Sequence, residues 1–158
     1  MKKRIAEEKK ESPAKIYLNK IKECDDKINA NLAEIDHLYD LATRITPYIK
    51  EDAGASPGGN QDKLGEAVSK IADLRSEVNR EIDTMVDMKR KIIAMMEKMK
   101  NPDHYRVLHF RYILYYTFER IATEMNYSYR GICYLHGRAL EEFAKLMEAE
   151  GAVNNAQV

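Results

Sequence analysis

The stretch LGEAVSKIADLRSEVNREIDTMVDMKRKIIAMMEKM, residues 64–99, carries one apolar line at a seven-residue interval: Leu64, Ile71, Val78, Met85, Ile92 and Met99. Leu74, Met88 and Met95, together with Val68, Ile82 and Met96, flank that line. A seven-residue period sustained over this length holds one seam of an α-helix against a partner helix, as in a coiled coil. The expected helix runs from about Gln61 or Asp62 to Lys100.

Its partner lies upstream. From Pro13 to Ile45 apolar residues recur at three and four: Leu18, Ile21, Ile28, Leu32, Ile35, Tyr39 and Ala42. Ser12 followed by Pro13 suits a helix start, because serine caps free amides and proline fits the first turn. Thr46-Pro47 reads as the stop, and the Gly- and Ser-containing stretch up to Asp62 reads as a loop. Two helices of similar length joined by a loop at 46–62 are expected to fold back antiparallel, each burying the stripe of the other.

Composition agrees with this all-α reading. Charged residues make up 33% of the 158, aromatics 8%, and there is no tryptophan, a balance that favours solvated helices over a thick core. Lys plus Arg and Asp plus Glu number 26 each, so any attraction to nucleic acid must be local. The start, Met-Lys-Lys-Arg-Ile-Ala-Glu-Glu-Lys-Lys, never reaches an apolar run, which predicts no signal peptide, no membrane span and a cytoplasmic protein. Cys24, Cys133 and the four histidines form no complete ligand set, and Cys133 with His136 is half a zinc site at most. No metal, cofactor or catalytic residue is expected, since phosphate loop and nucleophile–base pair are both missing. The five methionines between Met85 and Met99 read as adaptable core filling, and Lys89-Arg90-Lys91 as a solvated face.

After Asn101-Pro102 the composition turns aromatic, and a separate unit is expected at 102–148, between the helix pair at 13–100 and a disordered tail at 149–158; residues 1–12 read as a charged tail. His104 to about Tyr115 has helical spacing. Thr117 offers an N-cap for a short helix Phe118–Met125, Asn126 tolerates a left-handed turn, and Ser128 caps a last helix to about Met147. Two short helices crossing at this spacing need Ile121, Met125, Tyr127, Ile132 and Leu135 inside, with a small residue, Ala122, at the closest approach.

The run Arg111-Tyr112-Ile113, Thr117-Phe118-Glu119-Arg120-Ile121-Ala122, Met125-Asn126-Tyr127-Ser128, Ile132, His136-Gly137-Arg138-Ala139-Leu140 and Phe143 resembles region four of bacterial sigma factors, a helix-turn-helix. The chain as a whole is similar to small phage and prophage regulators. The resemblance implies that the last helix lies in the major groove of double-stranded DNA. Carried over, Ser128, Tyr129, Arg130, Cys133 and Tyr134 would face the groove, with Arg138 nearer the backbone. Arg130 is the residue best suited to a base edge, because a guanidinium makes two parallel bonds to guanine. The implied function is a phage-type transcription regulator whose helix pair dimerises or docks on RNA polymerase. The alternative is a phage structural or packaging protein that oligomerises through the coiled coil. Gly131 and Gly137 stand out in this helix, each unfavourable there by about 1 kcal/mol.

Overall fold

The structure, a computed structural model, describes residues 11–51 and 59–151, with side chains placed for 11–44 and 61–151. Every element among the described residues is helical: α1 at Pro13–Glu51, α2 at Gly59–Met96, α3 at Pro102–Leu108, a π-helical turn at His109–Ile113, α4 at Phe118–Met125 and α5 at Tyr129–Ala149. The all-α class expected from the heptad line holds. No helix among the described residues is long and apolar enough to cross a membrane.

Three boundaries differ from the sequence reading. The helix α1 runs through Thr46-Pro47 to Glu51, and α2 begins at Gly59, so most of the expected loop at 46–62 is helical and only 52–58 lie outside the described residues. A proline's missing amide withdraws one hydrogen bond, and here that loss does not end the helix. The helix α2 closes at Met96 rather than Lys100, because the Lys98 and Met99 amides donate three residues back, to Met95 and Met96. The single helix expected from His104 to Tyr115 is two pieces. At its end the Leu114 amide reaches the His109 carbonyl at 3.2 Å, and Tyr115 adopts a left-handed φ of 56°.

Residues Glu23–Asp87 form one compact unit. Its core is Ile28, Ile35, Leu38, Ile71 and Val78, with Leu74 and Met85 packed against it. Ile71, Val78 and Met85 lie on the seven-residue line of α2, and Ile28 and Ile35 on the three-and-four stripe of α1, so the periodicity that makes each helix amphipathic also supplies the seam. Lys27 pairs with Glu77 and Glu81, and Lys70 with Glu34 at 2.5 Å. Partner numbers fall on α2 as they rise on α1, so the two segments run antiparallel. Exposed pairs such as Lys27 with Glu77 and Lys70 with Glu34 contribute little, whereas each aliphatic side chain fully buried contributes about 1.5–3 kcal/mol.

The described residues up to Lys22 join those from Met88 onward in the other compact unit. This unit therefore takes in 13–22 and 88–100, which the sequence reading assigns to the helix pair. The reason is apolar surface: Ala14, Leu18, Ile21, Ile92, Met95, Met96 and Met99 are buried, as are Val107, Leu108, Ile121, Ile132, Ala139, Leu140, Phe143 and Met147. The ring of Tyr17 lies 6.5 Å from that of Phe143. The end segments of α1 and α2 and the helices α3, α4 and α5 share this core.

Glu142 fixes the break at Asn101-Pro102. Its carboxylate accepts the Lys100 amide at 2.6 Å and pairs with Nδ1 of His104, tying the start of α3 to α5. Partial burial pushes the Glu142 carboxyl up, but the His104 and Lys100 hydrogen bonds outweigh it and hold the group below the usual carboxylate range. Asn101 caps α3 by accepting the Asp103 amide at 2.9 Å.

Candidate nucleic-acid interface

The geometry around α4 and α5 is set by three capping residues. Thr117, with extended backbone, accepts the Arg120 amide at 3.3 Å and starts α4. Asn126 stops it in the left-handed region, at φ 57° and ψ 42°, where asparagine is tolerated better than most residues. Its conformation lets the Tyr127 amide return to the Ala122 carbonyl at 3.0 Å. Ser128 then accepts the Gly131 amide at 3.0 Å and starts α5. Side-chain caps of this type each contribute about 1 kcal/mol.

The two helices pack through Ile121, Ala122, Met125 and Ile132, all buried. Ala122 has a small side chain in this contact. Ala122→Leu is expected to overpack it by about 1–3 kcal/mol and to weaken the near-ultraviolet tyrosine signal. An unaltered signal and melting curve would rule out the close approach.

Two members of the expected core sit elsewhere. Leu135 is only half-buried, and Tyr127 is exposed. The Tyr127 phenol donates to Asp103 of α3 at 2.8 Å, a bond that raises its pKa. A phenol that has a carboxylate partner at the surface gains nothing from being buried without one. This placement also explains Gly131. A Cβ there would stand 3.1 Å from Ser128 Oγ and 3.5 Å from the Tyr127 ring, so glycine makes room for the cap and the ring. A Cβ at Gly137 meets nothing within 4 Å.

All six residues that the resemblance assigned to DNA are exposed: Ser128, Tyr129, Arg130, Cys133, Tyr134 and Arg138. Cys133, Tyr134 and Arg138 lie three, four and eight residues after Arg130, which places them on one face of α5. Tyr134 is the most exposed large hydrophobic side chain among the described residues, at 72%. Tyr129 stands beside Cys133, whose proximity raises the phenol pKa. Arg138 is paired with Glu141 at 2.9 Å, whereas Arg130 has no acidic partner among the described residues. Ser128 is committed to its cap, so its contribution to this face is to orient it.

Behind this face lies a group of rings and cations not anticipated as a unit. Phe118 meets Tyr129 edge-on at 6.4 Å and His136 at 5.0 Å, and the Arg111 guanidinium sits 4.7 Å over the Phe118 ring. Arg111 also donates to the Tyr116 carbonyl at 2.9 Å, and Arg120 lies 3.6 Å over the Tyr116 ring. Tyr116 in turn stacks on Phe110 at 5.4 Å. These contacts hold the Leu114–Thr117 connection against α4 and α5. The signal in the sequence was the aromatic run Tyr115-Tyr116-Thr117-Phe118 flanked by Arg111 and Arg120.

His136 is turned into that group, 3.0 Å from the Tyr112 hydroxyl and stacked on its ring at 5.7 Å. Burial first, then the positive charges of Arg111 and Lys15, push its pKa down to about 4. Cys133 is exposed, so the two do not converge. No group of three or more His, Cys, Asp or Glu able to hold a metal is found among the described residues.

Comparisons with family models, with curated proteins and with solved structures find no match to this chain.

Proposed function

We propose that this chain is a DNA-binding transcription regulator of phage type, in which α5 enters the major groove and reads base edges from its first two turns. The observation that carries the reading is the face of α5 just after the Ser128 cap, where Arg130 is exposed and free of an acidic partner among the described residues, beside exposed Tyr134 and Cys133. The caps at Thr117, Asn126 and Ser128 give α4 and α5 the short connection that a helix-turn-helix uses, and the likeness to sigma region four concerns the same residues. A guanidinium without a competing carboxylate keeps all its donors for guanine. Arg138 serves the backbone: its pairing with Glu141 is exposed and therefore weak, and a phosphate exchanges readily with it. In this reading the antiparallel pair of α1 and α2 is a helical hairpin that brings a second copy or RNA polymerase to the DNA-bound unit.

Selection from a random duplex pool, followed by titration on selected and scrambled duplexes at two salt concentrations, tests the proposal. Arg130→Ala is expected to weaken binding to the selected duplex by about 1–3 kcal/mol and to relax preference at one base pair. Arg138→Ala is expected to weaken both duplexes alike and to lower the salt slope by about one. Equal binding of wild-type protein to both duplexes at either salt would exclude readout by α5.

A further inference from the structure

The two sides of the Glu23–Asp87 unit are unlike. One side is laced with polar ties: Lys27 to Glu77 and Glu81, Asn31 to Glu81, and Lys70 to Glu34. The opposite side carries Leu32 and Tyr39 of α1 and Val68, Ile82 and Val86 of α2, every one of them exposed. Their placement together follows from helical spacing and one contact. The Arg75 guanidinium lies 5.3 Å over the Tyr39 ring, so these two share a side. Leu32 is one heptad before Tyr39, Val68 and Ile82 are one heptad either side of Arg75, and Val86 is one turn beyond Ile82.

We propose that this second apolar side is the seat of a second copy of the chain, with the two helix pairs closing face to face as four helices about a twofold axis parallel to the helices. Charge selects that arrangement. On this side α1 also carries Asp25, one heptad before Leu32, and Asp36, one turn after it, and neither has an ion-pair partner among the described residues. The corresponding line of α2 carries Arg75 and no acid at those heptad positions. A twofold axis parallel to the helices lays α1 of one copy over α2 of the other, so Asp36 comes within about one turn of Arg75 and Asp25 faces a line with no acid. An axis across the helices would lay α1 on α1 and set Asp25 and Asp36 against their own kind. Neighbouring helices are then antiparallel throughout.

Heights agree as well. Within one chain Lys27 is level with Glu77 and Glu81, and Glu34 with Lys70. The parallel axis preserves these levels, so Tyr39 of one copy meets Val68 of the other, and Leu32 meets the aliphatic stem of Arg75. Two helices presenting ~30 Å of length each offer on the order of 600 Å² of facing surface, close to the ~800 Å² per partner of a stable interface. The proposal deepens the reading of the helix pair and does not depend on DNA, because its test reads mass alone.

The experiment is sedimentation equilibrium of the full chain over a wide concentration range, with helicity as the control on folding. Wild-type protein is expected to be a dimer, and Val68→Lys combined with Ile82→Lys is expected to make it a monomer of unchanged helicity, since the core residues Ile28, Ile35, Leu38, Ile71 and Val78 are untouched. Asp36→Arg alone should raise the dimer Kd at least ten-fold, and adding Arg75→Asp should restore most of that loss. A monomer at every concentration, a dimer that survives the double lysine variant, or a charge reversal that the second reversal does not rescue would each overturn the proposal.

Discussion

Val78→Asp is expected to melt the Glu23–Asp87 unit. Val78 is 5% exposed and belongs to the core that Ile71 of its own helix forms with Ile28, Ile35 and Leu38 of α1. The substitution removes a buried aliphatic, a loss of about 1.5–3 kcal/mol, and adds a carboxyl that has no donor beside it. That carboxyl must either ionise away from water or stay protonated far above its usual pKa, and the two losses together reach about 4 kcal/mol or more. Domains of this size hold about 5–15 kcal/mol in all, so the effect is a large share of the total. Circular dichroism at 222 nm during heating checks it: a lower helical content and an earlier midpoint are expected. Most tyrosines belong to the other compact unit, so their near-ultraviolet signal reports on that unit while 222 nm reports on both. A variant with wild-type helicity and midpoint would refute the seam.

The seam was legible because a strict seven-residue line has only one physical use. Ile71, Val78, Ile92 and Met99 are buried as the line required, and Leu64 and Met85 are half-buried. The flanking positions were not legible, since a heptad gives the seam and leaves undetermined how far its edges are covered. Val68 and Ile82 stand exposed for that reason. The helix ends of the C-terminal unit could be placed at Thr117, Asn126 and Ser128 because capping chemistry is local and involves residues within three positions. The π-helical turn at His109–Ile113 and the left-handed Tyr115 could not, because no local propensity marks them. Nothing local distinguishes Tyr127 inside from Tyr127 outside either; the deciding partner, Asp103, is 24 residues away. The start of α5 was readable from the Ser128 cap and the residues named on its face came from the resemblance, whereas the ring group behind it depended on contacts between α5 and residues 110–118.

That ring group gives the C-terminal unit a defined acid limit. His136 titrates near 6.5 in an unfolded chain, but in the folded chain burial and the charges of Arg111 and Lys15 bring it down to about 4. Between those two values the unfolded state binds a proton that the folded state refuses, so stability increases with pH across the window. The contribution is complete above about pH 6.5 and is lost progressively as the pH falls towards 4, by about 3 kcal/mol in all. Below that window Glu142 adds a separate loss, because its folded pKa lies under the ordinary carboxylate value and its contacts to His104 and Lys100 weaken as it takes up a proton. The Tyr112 hydroxyl that faces His136 sets the opposite limit. Burial pushes it up to about 12, so its contribution is intact below pH 10 and is lost as the pH rises from 10 through 12. Denaturant titrations followed by near-ultraviolet dichroism at steps from pH 4 to pH 7 measure the acid slope. His136→Phe keeps an aromatic ring between Tyr112 and Phe118 but has no proton to bind, so it is expected to flatten the slope between pH 4 and 6.5 even though the Tyr112 hydroxyl loses its partner and the variant is less stable at pH 7. If the variant and the wild-type protein lose stability in parallel over that range, His136 is not the residue that sets the acid limit.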